Sequence, residues 1–330
     1  MTPSGSRPKT HTHAHDAVDP KLLSTQRGIR AVKWSFAGLL VTALIQLVIV
    51  FLSGSVALLA DTIHNFGDAS TAIPLWIAFS LARREPSRRF TYGYGRLEDL
   101  AGVVIVLTIL FSAVVAGHQS IERLLDPQPI RQIPAVAAAA LVGFIGNEWV
   151  ARFRIKVGEE INSAALIADG HHARVDGLTS LGVLVSAAGV WLGYPLTDPL
   201  VGLAITLAIL RIVWEAGKSV FVRLLDGVDP EIVSEIRHTV RHAAEVETVT
   251  KVRARWIGHR LHAEINLELN PSLTIAEAHD IAKRVRHDVL HQLPQLFNAS
   301  VHVDPSNGSK EAFQGALDPA RDDFDPPGHS

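Results

Sequence analysis

Six long apolar runs are the feature that most constrains this chain. Each is long enough to cross a lipid bilayer, which takes about 20 mainly apolar residues. The runs lie near residues 33–53, 56–81, 99–121, 133–153, 163–193 and 199–222. Because a bilayer offers no water to backbone polar groups, each run is expected to be a helix that satisfies its own backbone. The sequence therefore predicts an α-helical membrane protein with six transmembrane helices.

The overall composition agrees with a membrane protein and argues against other classes. Hydrophobic residues make up 48% of the 330 residues and charged residues 19%, which is too apolar for an ordinary soluble domain of this length. Lys and Arg (31) nearly balance Asp and Glu (33), so the chain lacks the basic excess that nucleic-acid binding requires. It contains no cysteine. Any metal must therefore be held by His, Asp, Glu or backbone oxygen.

The distribution of basic residues predicts the orientation in the membrane. Lys and Arg cluster before the first run, between the second and third, and between the fourth and fifth. The clusters are Lys21, Arg27, Arg30 and Lys33; Arg83, Arg84, Arg88, Arg89 and Arg96; and Arg152, Arg154 and Lys156. By the positive-inside rule these segments face the cytoplasm. We therefore expect both termini to be cytoplasmic. The first residues contain no apolar segment, so no cleavable signal peptide is expected, and the expected location is the plasma (inner) membrane of a bacterium.

A second, soluble domain is expected after the last apolar run. The composition becomes mixed after Asp226, and a Gly-Val-Asp-Pro turn at 227–230 precedes a helical pattern. Helices are predicted at 231–244 and 274–292, and strands at 249–257, 261–269 and 299–303. This αββαβ order predicts a small α+β domain of ferredoxin-like or metallochaperone-like type.

These patterns divide the chain into four segments. The expected segments are a His-containing cytoplasmic tail at 1–28, a membrane domain at 29–226, a cytoplasmic domain at 227–305 and a disordered tail at 306–330. In the first tail, His alternates with other residues at His11, His13 and His15. Such a tract either binds a transition metal loosely or is simply solvated.

Two of the apolar runs carry ionisable residues in mid-span. His64 and Asp68 lie four residues apart in the second run, and His172 and Asp176 repeat this spacing in the fifth. Residues four apart share one face of a helix, so two facing helices offer two imidazoles and two carboxylates, which suits a tetrahedral zinc-type ion. The alternative is hydrogen bonding between helices. Since each ionisable residue costs roughly 2.5–3.5 kcal/mol at the bilayer centre, ligation is the better explanation of two matched couples.

These features together resemble the cation diffusion facilitator family. The resemblance covers about residues 30–305 and includes the six spans, the paired His-x-x-x-Asp couples and the αββαβ domain. It also includes the stretch Phe-Thr-Tyr-Gly-Tyr-Gly-Arg-Leu-Glu at 90–98, after the second span. The resemblance implies a homodimeric secondary transporter, not an enzyme, that exports divalent metal ions from the cytoplasm in exchange for protons.

The resemblance also assigns roles to individual residues. It implies that the two couples form the transport site, and two His with two Asp resemble the zinc and cadmium type. It implies a cytoplasmic metal site at His279, His302 and Asp304, where zinc or another divalent ion would be a regulatory ligand. Arg96 and Asp226 fall where the family has a charge pair that locks the dimer.

The expected function is therefore export of Zn²⁺ in exchange for protons. Cd²⁺, Co²⁺, Ni²⁺ and Fe²⁺ remain candidate substrates, because the same ligand types accept them. Metal binding needs neutral His and ionised Asp, so metal loading releases protons and protonation expels the metal. The expected partners are the metal ion, protons, the bilayer and a second copy of the chain; no cofactor and no nucleic acid are expected. Two alternatives use the same ligands: a membrane metal sensor, and an intramembrane metalloenzyme with water in an open position.

Overall fold

The protein consists of a helical membrane domain followed by a small α+β domain. The computed structural model describes residues 20–53, 72–126, 132–194, 196–243 and 245–306. Within them, five helices are long and apolar enough to cross a membrane, and one further apolar helix is shorter. These are α1 (Pro20–Ser53), the shorter α2 (Ala72–Ala82), α3 (Arg96–Leu125), α4 (Ile133–Glu160), α5 (Ala164–Trp191) and α6 (Thr197–Leu224). The predicted fold class is confirmed.

Two of the helices extend well beyond the apolar runs that predicted them. Helix α1 begins at Pro20 and so runs through the expected boundary between residues 28 and 29, and α4 continues to Glu160. Hydropathy detects only the apolar part of a helix, whereas the backbone hydrogen bonds of the helix continue through polar turns. The extension of α4 corrects one expectation: Arg154 was expected in a cytoplasmic loop, but it lies inside α4 with 1% of its surface exposed.

The membrane domain has a buried core and an apolar outer surface. Side chains from α2, α3, α5 and α6, among them Phe79, Ile105, Leu166 and Ile209, form one buried cluster. Many large apolar side chains point outward, as do Phe111 and Trp214, which are 70% and 75% exposed. An outward apolar surface on a bundle of this length is the surface that lipid covers.

The second domain has the predicted element order. Its elements are α7 (Pro230–Arg241), β1 (Thr248–Ile257), β2 (Arg260–Leu269), α8 (Ile275–Gln292) and β3 (Leu296–Pro305). The sheet order is β1-β2-β3, with β2 antiparallel to β1 and parallel to β3. Apolar side chains of α7 and α8, such as Ile236 and Val285, pack with Ile265 and Leu267 of the sheet to form a separate core.

Candidate metal site

The couple in the fifth apolar run lies on one face of α5, inside the membrane domain. His172 is 1% exposed, the side chain of Asp176 is 14% exposed, and His172 Nδ1 lies 3.9 Å from Asp176 Oδ1. A tetrahedral zinc ion holds nitrogen and oxygen ligands at about 2.0–2.2 Å, which places two ligand atoms roughly 3.4 Å apart. These two side chains therefore need only a small adjustment to hold one ion between them. They can supply half of a four-ligand shell.

The other expected half of the site lies outside the described residues. His64 and Asp68 fall within residues 54–71, which precede α2. Among the residues that the structure does describe, no three His, Asp or Glu side chains form a group that could hold a metal ion. The four-ligand site therefore stays a prediction, for which α5 supplies two positioned members.

A buried ion pair lies one helical turn before His172. Asp169 of α5 is fully buried, and its Oδ2 lies 3.1 Å from Nη1 of Arg154 on α4. Arg154 Nε also donates a hydrogen bond to Ser35 Oγ of α1 at 2.8 Å. A charge in this setting needs its partner, because an unpaired buried charge is strongly destabilising. The guanidinium thus ties α1, α4 and α5 together beside the turn that carries His172.

A close approach of α4 and α5 brings this ion pair together. A Cβ atom added at Gly170 would lie 2.6 Å from Ile155 Cγ1 and 3.0 Å from Ile155 N. Both distances are shorter than ordinary van der Waals contacts, so a side chain at Gly170 would push the two helices apart. Glycine at this position therefore allows the contact that buries His172 and Asp169.

The neighbouring histidine, His171, has a different environment. It is partly exposed and points about 100° away from His172 around the helix axis. Arg174, three residues after His171 on α5, is engaged in an ion pair, with its Nε 3.4 Å from Glu148 Oε2. His171 is therefore a suitable control for His172, since the two share a helix but not a face.

The candidate metal ligands of the cytoplasmic domain are only partly brought together. His302 Nε2 and Asp304 Oδ1 on β3 are 3.1 Å apart, and their side chains are 67% and 47% exposed. His279 lies on α8 and is also exposed. Since no group of three His, Asp or Glu side chains is found within the described ranges, His279 does not complete a centre with the β3 pair there.

Arg96 and Asp226 meet at the end of the membrane domain that faces the α+β domain. Arg96 Nη2 donates a hydrogen bond to Asp226 Oδ1, and Arg96 Nη1 donates to the carbonyl oxygen of Arg223 at 3.3 Å. Both residues belong to the same chain. The pair thus joins the start of α3 to the residues that follow α6, and its role in a dimer stays a prediction.

The turn between β1 and β2 docks at this same end. The backbone N–H groups of Gly258 and His259 donate to Asp99 Oδ2 and Glu98 Oε2, both at 3.2 Å. His259 Nδ1 donates to Glu98 Oε2 at 2.7 Å, and His259 Nε2 lies 3.1 Å from Thr25 Oγ1 of α1. The side chains of Glu98 and His259 are 1% and 3% exposed. We call this set of contacts the domain junction.

Gly258 suits the domain junction because no other residue fits its backbone and its surroundings. Its φ is +61°, and an added Cβ would lie 2.7 Å from both Glu98 Oε2 and the carbonyl oxygen of Gly95. On the other side of the turn, Arg223 of α6 places its guanidinium 4.4 Å from the centre of the Trp256 ring, within the range of a cation–π contact. The turn therefore contacts α1, α3 and α6.

Sequence reasoning missed the domain junction and the Arg154 ion pair. A signal for the pair was present, because Asp169 sits in an apolar run and so requires a counter-charge from a neighbouring helix. Arg154 satisfies that need, but its charged neighbours Arg152 and Lys156 made it look like part of a loop. For His259, the sequence offered only its position after the tight turn at Gly258, which does not indicate a contact with a distant helix.

The comparisons with known proteins cover both domains. Residues 32–225 match the family described as "Cation efflux transmembrane domain", and residues 228–306 match "Cation efflux protein, cytoplasmic domain". The chain belongs to the cation diffusion facilitator family. As a member of this cation efflux family, it is a multi-pass membrane protein that transports metal cations.

Relatives of this cation diffusion facilitator extend over most of its length. A probable cation efflux system protein of Mycobacterium tuberculosis (strain ATCC 25618 / H37Rv) is 56% identical over 297 residues, covering 90% of each chain. The manganese efflux system protein MneP of Bacillus subtilis (strain 168) is 27% identical over 261 residues, covering 76% of this chain and 87% of MneP. A solved MamM-CTD chain is 21% identical, covers 23% of this chain and 95% of its own length, and gives a TM-score of 0.22.

Proposed function

We propose that this cation diffusion facilitator exports Zn²⁺ from the cytoplasm in exchange for protons, through an intramembrane site formed by His64, Asp68, His172 and Asp176. The observation that carries the proposal is the couple on α5: a buried imidazole and a mostly buried carboxylate 3.9 Å apart within a membrane-spanning helix. Placing these groups in a membrane is costly unless they hold a ligand or each other. A transported cation supplies that ligand in a chain whose family moves cations.

The choice of zinc rests on the types of ligand. Two imidazoles and two carboxylates make a mixed nitrogen and oxygen set that suits tetrahedral Zn²⁺, whereas Mg²⁺, Ca²⁺ and Mn²⁺ favour shells rich in oxygen. The relative MneP is named for manganese, so Mn²⁺ is included in the metal assays. Cd²⁺, Co²⁺, Ni²⁺ and Fe²⁺ are the competitors to test against zinc.

Exchange for protons follows from the chemistry of the ligands. His binds a metal only when neutral and Asp only when ionised, so metal and protons compete for the same atoms. When the site opens to a near-neutral cytoplasm, metal displaces the protons; when it opens to a more acidic outside, protons displace the metal. The cycle requires the helices that carry the two couples to move between two arrangements, with no covalent intermediate.

The proposal includes an orientation and an assembly. Thr25 of α1, the start of α3 and the end of α6 all contact the turn of the α+β domain, so this domain lies at the same end of the bundle as the start of α1. That arrangement supports an N-terminus and a C-terminal domain on one side, the cytoplasm. We also propose that the chain is a homodimer in a bacterial plasma membrane, in which a divalent metal at His279, His302 and Asp304 regulates transport.

The first test is zinc flux in proteoliposomes. The purified full chain is reconstituted, a pH gradient is imposed, and Zn²⁺ movement is followed with a zinc-sensitive dye. We expect flux that depends on the gradient and that falls at least about tenfold in His172→Gln and Asp176→Asn, because each loses a metal ligand. His171→Gln is the matched control and should keep its flux.

Three results would contradict the proposal. Absence of Zn²⁺ flux from folded protein would remove zinc as substrate, and parallel assays with the competing metals would show whether another ion takes its place. Flux that ignores the pH gradient would remove proton exchange. Equal losses in His171→Gln and His172→Gln would show that the buried face of α5 is not the site.

A further inference from the structure

A pair of histidines at the C-terminal end of α7, one in its last turn and one directly after it, has a geometry that the proposed transport function does not use. His238 and His242 lie four residues apart at the C-terminal end of α7, both exposed, with ring centroids 4.2 Å apart and ring planes inclined by 35°. The opposite face of α7 is fixed in the domain core, since Ile236 and Val240 are buried there. The helix therefore holds both imidazoles on the solvent side, next to each other.

A hydrogen bond sets the tautomer of one of these rings. His242 Nδ1 lies 2.8 Å from the carbonyl oxygen of His238. A carbonyl oxygen only accepts, so Nδ1 carries the proton and, in the neutral ring, Nε2 carries the lone pair. Histidines that bind metals show this same arrangement, in which the second ring nitrogen donates to a carbonyl or carboxylate and so orients the ring.

The distance between the rings fits joint ligation of one ion. With metal–nitrogen distances of about 2.0–2.1 Å, two imidazoles on one tetrahedral ion have centroids roughly 5 Å apart. The rings of His238 and His242 come within an ångström of that separation. A second pair with the same spacing, His287 and His291 on α8, has centroids 6.1 Å apart and nearly parallel rings. Its separation deviates from 5 Å by a similar amount, and its exposure and helical position are similar. It differs in the contact of His287 Nδ1 with Asp288 Oδ1 at 3.6 Å, where His242 has its hydrogen bond to a carbonyl oxygen.

The surroundings define what the pair can bind. The last turn of a helix carries a partial negative charge, which favours a cation, and His242 immediately follows the last residue of α7. Because the described residues contain no group of three His, Asp or Glu side chains that could hold a metal, water would complete the shell. Two imidazoles with water select first-row ions such as Ni²⁺, Cu²⁺ and Zn²⁺ over Mg²⁺ and Ca²⁺.

We propose that His238 and His242 form a two-histidine chelate for a divalent first-row transition ion on the cytoplasmic domain. The site is separate from the transport couple and from His279, His302 and Asp304. With only two protein ligands it is open and exchanges readily, so it responds to a raised metal concentration. A bound ion bridges two successive turns and therefore restrains the C-terminal end of α7. This helix begins at Pro230, four residues after Asp226.

Amide hydrogen exchange of the full chain in detergent, with and without Ni²⁺, tests this proposal at the site itself. A ligand that binds only the closed helix slows exchange about tenfold when its free concentration is about ten times its Kd. We expect that slowing in peptides that cover residues 239–243. The slowing should disappear in His242→Gln and in His238→Gln, and should persist in His287→Gln, the matched control.

Other patterns would overturn the proposal. If residues 239–243 exchange equally fast without Ni²⁺ and with Ni²⁺ up to about 1 mM, the pair does not form a binding site for the ion. If the slowing persists in His242→Gln, then metal bound elsewhere stiffens the domain. If it disappears in His287→Gln as well, the two pairs act together and the two-histidine chelate is wrong. None of these readings depends on transport, so a failure of the zinc export proposal leaves this test intact.

Discussion

Arg154 shows how one residue can hold several membrane helices in place. Its guanidinium is 1% exposed, faces the buried carboxylate of Asp169 and donates to Ser35. The attraction between buried charges roughly offsets the cost of removing them from water, but loss of one partner leaves that cost uncompensated. The pair therefore contributes to position more than to net stability, and the position it determines is that of the turn before His172.

The Arg154–Asp169 pair predicts that a single variant loses more stability than the double variant. Arg154→Ala leaves the Asp169 carboxylate unpaired and should destabilise the membrane domain by about 3–5 kcal/mol. Removing both charges in Arg154→Ala/Asp169→Ala should recover part of that loss. The midpoint of thermal unfolding of the detergent-solubilised chain measures both effects. A double variant less stable than Arg154→Ala would contradict the importance of charge pairing here.

At the scale of single residues, the sequence singled out His172 and Asp176 on one helix face but did not indicate the ion pair beside them. His172 and Asp176 stood out because their spacing matches one helix face and because ionisable groups are rare in apolar runs. Arg154 lies near the end of a run, where a basic residue is normally at the membrane surface. Whether such a residue turns outward to water or inward to a carboxylate depends on the packing of α4 against α5, which local sequence does not encode.

Individual helices and strands were predicted well where one hydrophobic period, helical or alternating, dominates the local sequence. The αββαβ order followed from alternating and helical patterns, and β1 and β2 begin within one residue of their predicted starts. Strand β3 begins at Leu296, three residues before its predicted start, and ends at Pro305, two residues after its predicted end. Its pairing with β2 extends it, and such pairing is a tertiary effect that a short local pattern cannot indicate.

The start of α8 has a capping box with a measurable dependence on pH. The backbone N–H and the hydroxyl of Thr274 both donate to Glu277 Oε2 at 2.8 Å, and Glu277 N–H donates to Thr274 Oγ1 at 3.3 Å. The hydrogen bond from the Thr274 backbone, followed by that from its hydroxyl, lowers the pKa of Glu277 below its ordinary value. The ionised form is therefore the one that caps the helix.

The lowered pKa of Glu277 in the folded state predicts the direction in which stability changes with pH. The stabilisation from Glu277 is present above its unfolded pKa and is lost as the pH falls through the lower folded value. We expect Glu277→Gln to unfold at a lower temperature than the unaltered chain near pH 7, and this difference to shrink as the pH falls to about 4 and below. Circular dichroism at several pH values measures it. A difference that grows with acidity would contradict the assignment.

At the scale of the whole molecule, the two domains have separate cores joined by the domain junction. The core of the α+β domain includes Leu261, Ile265 and Val289 and is distinct from the membrane cluster. At the domain junction, Glu98 and His259 are nearly fully buried and hydrogen-bonded at 2.7 Å. The orientation of the domain on the bundle thus depends on the contacts of the domain junction, whereas its fold rests on a core of its own.

This separation predicts a variant that undocks the domain without unfolding it. His259→Ala removes a hydrogen bond to a carboxylate worth about 2 kcal/mol, so amides of residues 257–260 should exchange with deuterium tens of times faster. Peptides in β2 from residue 262 onward should keep their protection. His262→Ala, at a histidine of β2 outside the domain junction, is the control and should leave residues 257–260 protected. Loss of protection throughout β2 in His259→Ala would show that the domain depends on docking for its fold.

The position of the turn at Gly258 and His259 also has a consequence for biogenesis. His259 is 234 residues from Thr25, which its ring contacts. The turn also contacts α3, through Glu98 and Asp99, and α6, through Arg223. The docking surface exists only after the first, third and last of these helices have come together in the bilayer, and the turn leaves the ribosome after all of them. Docking is therefore a late event that follows correct closure of the bundle. A wrongly assembled bundle leaves the hairpin without a place to dock.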